Sequence, residues 1–299
     1  MQPTTTWGGI FPAALTMFDA HGRLDEDATA AHLDWLVGQG AHGVVVAGTS
    51  GEFVSLSGRE RRRLFEVAVK AAAGRVPVIA GTGAFGTAET VELTRAAGEA
   101  GAAGAIVILP YYQRPHRDEV MAHFRAVGRA ADIPVMIYNN PANSGTEPLS
   151  AEDIGALYHE GVAHAVKSTF PTVHQVHEVR AATDDGFRTF YGSFMAPLEG
   201  MAGGAHGWVS GILNVATPDA VALWEAVQRG DLPAAREAWS RILPIKYLYT
   251  RQPLGPVNDL AIYREMLTMR GLHGGYSRTP LQPLTAAQRE TLAGLLAGR

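Results

Sequence analysis

Cysteine is absent from the 299 residues, so the chain has no disulfide, no thiolate nucleophile and no Cys-ligated zinc or iron–sulfur centre. Lysine is scarce: Lys70, Lys167 and Lys246 are the only three, against 22 arginines, so each can be examined by elimination. No apolar run approaches the roughly 18 residues that suggest a membrane span. The N-terminal MQPTTTWGGIFPAALTMFDAHG lacks the basic start and sustained apolar stretch of a secretory signal, so a soluble cytoplasmic protein with no membrane partner is expected. An excess of positive charge is also missing. The net charge of −4 and pI near 6.3 give no global attraction to nucleic acid, which leaves a small soluble ligand as the expected partner.

What is present is an alternation. Apolar or β-branched runs at 9–15, 43–47, 76–80, 105–109, 134–138, 163–167, 189–191 and 207–209 are separated by helical patterns, at the spacing of a βα unit. Helix starts are recognisable: Ser57 with Glu60 and Ser150 with Asp153 have capping-box spacing, and Thr87 opens an amphipathic run to Ala100. Eight such units with short loops predict a (β/α)8 TIM barrel over residues 1–216. After Thr217-Pro218 only helical patterns follow, at 219–229, 233–250 and 255–270, so residues 217–299 are expected to form a C-terminal helical extension.

In such barrels chemistry gathers where strands end. The residues there are GTSGE (48–52), GTG (81–83), PYY (110–112), Tyr138-Asn139, Lys167-Ser168, Gly192-Ser193 and Ser210-Gly211. Lys70 lies on a helix four residues after Glu66, where an exposed ion pair is expected, and Lys246 can lay its stem along an apolar helix with its ammonium in water. Lys167, ending VAHAVK, is either buried or aimed into the mouth of the barrel. Burial disfavours an ammonium, and a neutral amine is the nucleophile of Schiff-base chemistry. Pairing with a carboxylate, or binding substrate by charge alone, are the alternatives. Tyr138 ends the preceding strand and can carry protons in the same pocket or simply pack there. The GTSGE turn offers N–H groups and two hydroxyls to a carboxylate, or is a plain strand-to-helix turn.

Taken together, GGIFPAALTMF, GTSGE, AGTGA, PYYQRP, YNNPANSG, VKST, YGS, GAHGWVSGILNVAT and SRTPLQPL resemble, in order and over essentially the whole chain, the class I aldolase family that includes dihydrodipicolinate synthase and N-acetylneuraminate lyase. The resemblance implies that Lys167 forms an imine with a 2-oxo acid, that Tyr138 transfers protons, and that Thr49 and Ser50 bind the carboxylate. It implies that Tyr112 serves a neighbouring subunit's relay through Thr49, hence a homotetramer built as a dimer of dimers, with Gly192 and Val209 contacting the substrate and no cofactor or metal. One position departs: where dihydrodipicolinate synthases carry an arginine for the second substrate's carboxylate, this chain has Asn143, an amide with neutral donors only. PANSG is closer to the PANTG of 4-hydroxy-2-oxoglutarate aldolases. The expectation is therefore a lyase, aldolase or dehydratase of a 4-hydroxy-2-oxo acid or sugar-acid derivative, with lysine-pathway synthase and a non-catalytic 2-oxo acid binder as alternatives.

Other signals are set aside. GTGAFG (81–86) has dinucleotide-loop spacing, but no acidic residue follows at the ribose distance. His174 with His177, and His159 with His164, do not end strands beside carboxylates, so no metal is expected. RERRR (59–63) is expected to be a solvated helix face or a subunit contact.

Overall fold

The computed structural model describes residues 5–297. Strands and helices alternate as β1 (Gly9–Pro12), α1 (Glu26–Gly38), β2 (Val44–Val46), α2 (Gly58–Ala72), β3 (Val78–Gly81), α3 (Thr87–Glu99), β4 (Gly104–Ile108), α4 (Arg117–Ala130), β5 (Val135–Asn139), α5 (Ala151–His159), β6 (Ala165–Ser168), α6 (His174–Ala182), β7 (Arg188–Tyr191), α7 (Pro197–Ala202), β8 (Gly207–Ser210) and α8 (Leu213–Gln228). Three more helices follow: α9 (Leu232–Thr250), α10 (Asp259–Met269) and α11 (Ala286–Ala297). From β2 round to β8 each strand pairs in parallel with the next, and β8 pairs with β1. A bridge between Ala13 and Val45, with the Ala14 N–H donating to the Val45 carbonyl at 2.8 Å, brings β1 against β2. The fold is the expected (β/α)8 barrel with a helical extension. No helix among the described residues is long and apolar enough to cross a membrane.

Side-chain parity sorts the barrel into an inside and an outside. Register aligns Ile106 with Met136 and Met136 with Ala165, and two residues further on aligns Tyr138 with Lys167 and Lys167 with Phe190. Phe11, Ile106, Met136, Tyr138, Ala165, Phe190 and Val209 form one buried cluster, the barrel interior. The intervening Val107, Val135, Ile137 and Val166 pack instead on Val120, Phe124, Ile154 and Val179 of α4, α5 and α6. Lys167 shares the parity of Ala165, so its side chain is directed inward at the strand's C-terminal end.

Both predicted capping boxes are formed, at Ser57–Glu60 and Ser150–Asp153. α3 starts at Thr87 behind Gly86, which makes no side-chain cap. β1 is shorter than the 9–15 run, because Ala13 to Leu15 leave the ladder: the Leu15 N–H donates to Asn214 Oδ1 at 3.0 Å. The expected division between 216 and 217 falls inside α8, at a kink where Ala216 leaves helical geometry. α10 begins only after Asn258, whose side chain caps it, and α11 was not anticipated; its sole buried residue is Leu292. The extension shares a core with the barrel: Ile10, Tyr191 and Trp208 pack with Leu213, Ile242, Leu260 and Leu292.

Candidate active site

Tyr138 and Lys167 face each other across the β5–β6 ladder, with Lys167 Nζ 4.0 Å from the centroid of the Tyr138 ring. Both are buried, at 7% and 6% exposure. None of the ion pairs among the described residues involves Lys167, which removes the carboxylate-paired alternative. Gly192, just past β7, makes room for this lysine: a Cβ there would lie 2.9 Å from Lys167 Cγ and 2.1 Å from Thr169 Oγ1. Burial pushes the Tyr138 phenol up. The Lys167 ammonium and hydrogen bonds from Thr49, Asn140 and Lys167 outweigh that and hold it below its ordinary value. A phenol made more acidic beside an amine is an arrangement suited to moving protons at a carbonyl.

The GTSGE turn lies across the mouth. Ala47 and Glu52 both have positive φ (50° and 55°), which bends the chain so that Thr49 is exposed at the rim while Ser50 is buried. Strain of this kind persists only where surroundings over-determine it. Here the Thr16 hydroxyl donates to the Gly51 carbonyl at 2.7 Å, and Glu52 is gripped from the extension. Arg264 Nη2 donates to Glu52 Oε1 at 2.7 Å and the Arg278 N–H donates to Oε2 at 2.9 Å.

A cavity of about 220 Å³ joins these walls. Thr49, Ser50, Tyr138, Asn143, Lys167 and Gly192 all line it. Val209 is fully buried in the barrel interior, and the lining at β8 comes from Ser210 and Gly211. Tyr112 stands apart: it is 86% exposed with φ +71°, near Phe85 at 6.4 Å between ring centroids. Among the described residues no group of three or more His, Asp or Glu could hold a metal ion.

Several residues that shape the site were not singled out by the sequence. Asn140, 2% exposed, donates from Nδ2 to the Tyr138 phenolic oxygen at 2.8 Å. Its place in YNNP was visible, but nothing in the string showed that the side chain turns back by two residues. Asp259 and Tyr263 of α10 line the cavity from the extension, which periodicity marked only as helix. Arg61 corrects the reading of RERRR: it is 4% exposed and donates to the Gly83 carbonyl at 2.9 Å and to the Gly81 carbonyl, with its guanidinium over Phe53. The helix turns it inward, while Arg63 on the solvent side takes Glu66 that Lys70 was expected to hold. Lys246 lies near the Trp239 ring, and its ammonium, at an exposed site, also donates to the Met195 carbonyl at 2.8 Å.

A closed parallel barrel carrying a buried, unpaired lysine beside an acidified phenol defines an amine-bearing barrel lyase. The sequence pattern of the Dihydrodipicolinate synthetase family matches residues 6–298. The 4-hydroxy-tetrahydrodipicolinate synthase of Nitrobacter hamburgensis is 35% identical over 285 residues, 95% of this chain and 94% of that one. The crystal structure of dihydrodipicolinate synthase from Aquifex aeolicus superposes with TM-score 0.88 at 31% identity, covering 98% of both chains. YagE of Escherichia coli K12, a prophage protein of the dihydrodipicolinic acid synthase family solved in complex with pyruvate, gives 0.90 at 28% identity, covering 98% of this chain and 99% of that one. The chain belongs to the dihydrodipicolinate synthetase family and is a class I, Schiff-base-forming lyase.

Proposed function

We propose that this lyase acts on pyruvate-type 2-oxo acids through an imine on Lys167, in an aldol cleavage, dehydration or condensation. The observation that carries the residue assignment is the register pair of Tyr138 and Lys167 at the inner mouth of the barrel, 4.0 Å from Nζ to ring centroid. The Lys167 amine, once it has given up a proton, adds to the ketone carbon; C=N replaces C=O, and the oxygen leaves as water with the two further hydrogens shed by nitrogen. The imine, once protonated, draws electrons from the bond at C3, which breaks to release an aldehyde or forms to accept one. Tyr138 ferries the protons. Thr49 and Ser50 seat the carboxylate, Gly192 leaves space beside the imine, Val209 supports the floor and Asn143 meets the distal part of the substrate.

Tyr112, exposed and held at positive φ, suits insertion into a neighbouring subunit's mouth next to Thr49, in a cytoplasmic homotetramer that needs no cofactor. Relatives named 4-hydroxy-tetrahydrodipicolinate synthase favour a second reading, condensation of pyruvate with aspartate semialdehyde. Asn143 speaks against it, because an amide brings no positive charge to the second carboxylate.

Borohydride reduction in the presence of pyruvate, followed by peptide mass spectrometry, tests the proposal. A reduced pyruvyl adduct is expected on Lys167, and a Lys167→Ala variant should give neither adduct nor turnover above the uncatalysed rate. A wild-type protein that gives no adduct ends this reading. The second reading requires product from aspartate semialdehyde at a rate comparable with that of other acceptors.

A further inference from the structure

Only two residues lining the cavity carry a formal charge: Lys167 on its floor and Asp259 at its mouth. Asp259 opens α10, and its Oδ1 accepts the Leu260 N–H at 3.1 Å, a helix-end contact that leaves the carboxylate with no cationic partner among the described residues. It also lines an adjoining cavity together with Thr49, Ser50 and Arg278, so it stands where the two spaces meet. Arg278 cannot neutralise an incoming anion. Its guanidinium donates to the Ser55 carbonyl at 2.6 Å, to the Gly22 carbonyl at 2.7 Å and to Glu60. Arg264 is likewise committed to Glu52 and to the Thr16 and Gly274 carbonyls.

One turn along α10 from Asp259, Tyr263 reaches the same rim. A Cβ on Gly211 would lie 3.3 Å from Tyr263 Cε2 and 2.4 Å from Ser50 Oγ, so α10, β8 and the GTSGE turn meet there. The other polar groups facing the space, Asn140, Asn143, Ser193, Ser210 and Thr169 among them, are neutral, and the buried Thr169 Oγ1 has no hydrogen-bond partner among the described residues. Burial pushes the Asp259 carboxyl up, as expected of an acid held in a confined space without a counter-charge.

We propose that Asp259 makes this site select 2-oxo acids with a neutral, hydroxyl-bearing tail and reject those that end in a second carboxylate. The inference rests on the lyase reading and narrows its substrate class. A carboxylate accepts hydrogen bonds from a tail hydroxyl at full strength. A carboxylate tail meets like charge in a partly desolvated space, with no guanidinium to offset the repulsion. On this basis dicarboxylic 2-oxo acids and aspartate semialdehyde are both poor partners.

The test is a competition that needs no turnover. Equimolar 5-hydroxy-2-oxopentanoate and 2-oxoglutarate, matched in length and differing only in the tail, are reduced with borohydride on the enzyme. The Lys167 adducts are weighed by mass spectrometry and normalised to the same mixture on free Nα-acetyl-lysine. The wild type should favour the hydroxyl tail by about tenfold or more. Asp259→Asn should bring the ratio toward one, and Asp259→Glu, which keeps the charge, should restore most of it. Equal or greater 2-oxoglutarate adduct on the wild type overturns the inference. So does a ratio that Asp259→Asn leaves unmoved. If Asp259→Asn does not fold, Asp259→Ser, which also removes the charge, takes its place and must likewise bring the ratio toward one. Failure of the lyase reading looks different: pyruvate itself then leaves Lys167 unmodified.

Discussion

The two walls of the mouth are held by different physics. On the β5–β6 side, Tyr138 and Lys167 are set by strand register and interior packing, through neighbours in the barrel's own ladder. On the β2 side, the strained GTSGE turn depends on Glu52, which is gripped by Arg264 and Arg278, 212 and 226 residues downstream. The first wall is fixed by hydrogen bonds the barrel makes in any case. The second is fixed by buried charge that only the extension supplies, so the extension is a working part of the site.

The comparison breaks first at the phenol. Tyr138→Phe removes one oxygen from the register-built wall without opening a cavity, so kcat should fall by about 10²–10⁴-fold while stability changes little. Steady-state kinetics with a thermal melt checks this, and a loss smaller than tenfold would mean that the phenol is not the proton carrier.

On the other wall the largest effect should be structural. Arg264→Ala leaves Glu52 buried with an unpaired charge, which costs about 3–5 kcal/mol. Urea unfolding should show that loss, and the KM for the 2-oxo acid should rise because the carboxylate seat slackens, while reductive trapping still labels Lys167. Burial pushes the Arg264 guanidinium down even with Glu52 beside it, so replacing the pair together, Glu52→Gln with Arg264→Met, should cost less than the single change. If the double variant is the weaker protein, the turn is not held by charge.

Arg278 gives the same wall a smaller, pH-dependent term. Its hydrogen bond, opposed by burial and helped by Ser57, lowers the Glu60 carboxyl from 4.5 to about 2. The folded value lies below the unfolded one, so this stabilisation is fully present above pH 4.5 and is lost as pH falls toward about 2. The pair is partly solvated, which discounts its size. Unfolding midpoints from pH 6 to about 2.5 should drop more steeply for the wild type than for Arg278→Ala. Parallel curves would separate the pair from stability.

The contrast also explains what the sequence made legible. Strand parity is written locally: in VAHAVK, Ala165 and Lys167 share a face, and register with VMIY places Tyr138 opposite, so this wall could be anticipated from two short strings. Asp259 and Arg264 sit in a helix whose period announces only burial; Glu52, the partner of Arg264, lies 212 residues away in sequence, and the cavity that Asp259 lines is built by distant barrel loops. Arg61 misled for a related reason. A run of arginines looks solvated until helical geometry turns one of them onto the carbonyls that end β3. Tyr112 was singled out only by resemblance, and in the single chain it stands in the open, away from the cavity.

The finest distinction lies within the register-built wall. The Asn140 amide donates to the Tyr138 oxygen at 2.8 Å and its Oδ1 accepts the Ala142 N–H at 3.2 Å, so it acts on both the phenol and the loop. Asn140→Val removes both contacts; Asn140→Asp keeps the acceptor, loses the donor and adds a negative charge. With the donor gone the phenol should titrate at higher pH, in the order wild type, Val, Asp, as followed by ¹³C NMR of labelled tyrosine with Tyr138→Phe as the blank. A step that requires ionised Tyr138 gains rate as pH rises through its pKa, so that limb of the profile moves alkaline in the same order. The kcat of the Val variant should fall about three- to tenfold, the worth of one hydrogen bond. If both variants melt earlier yet leave the phenol titration in place, Asn140 ties down its loop and the acidity of Tyr138 belongs to Lys167 and Thr49 alone.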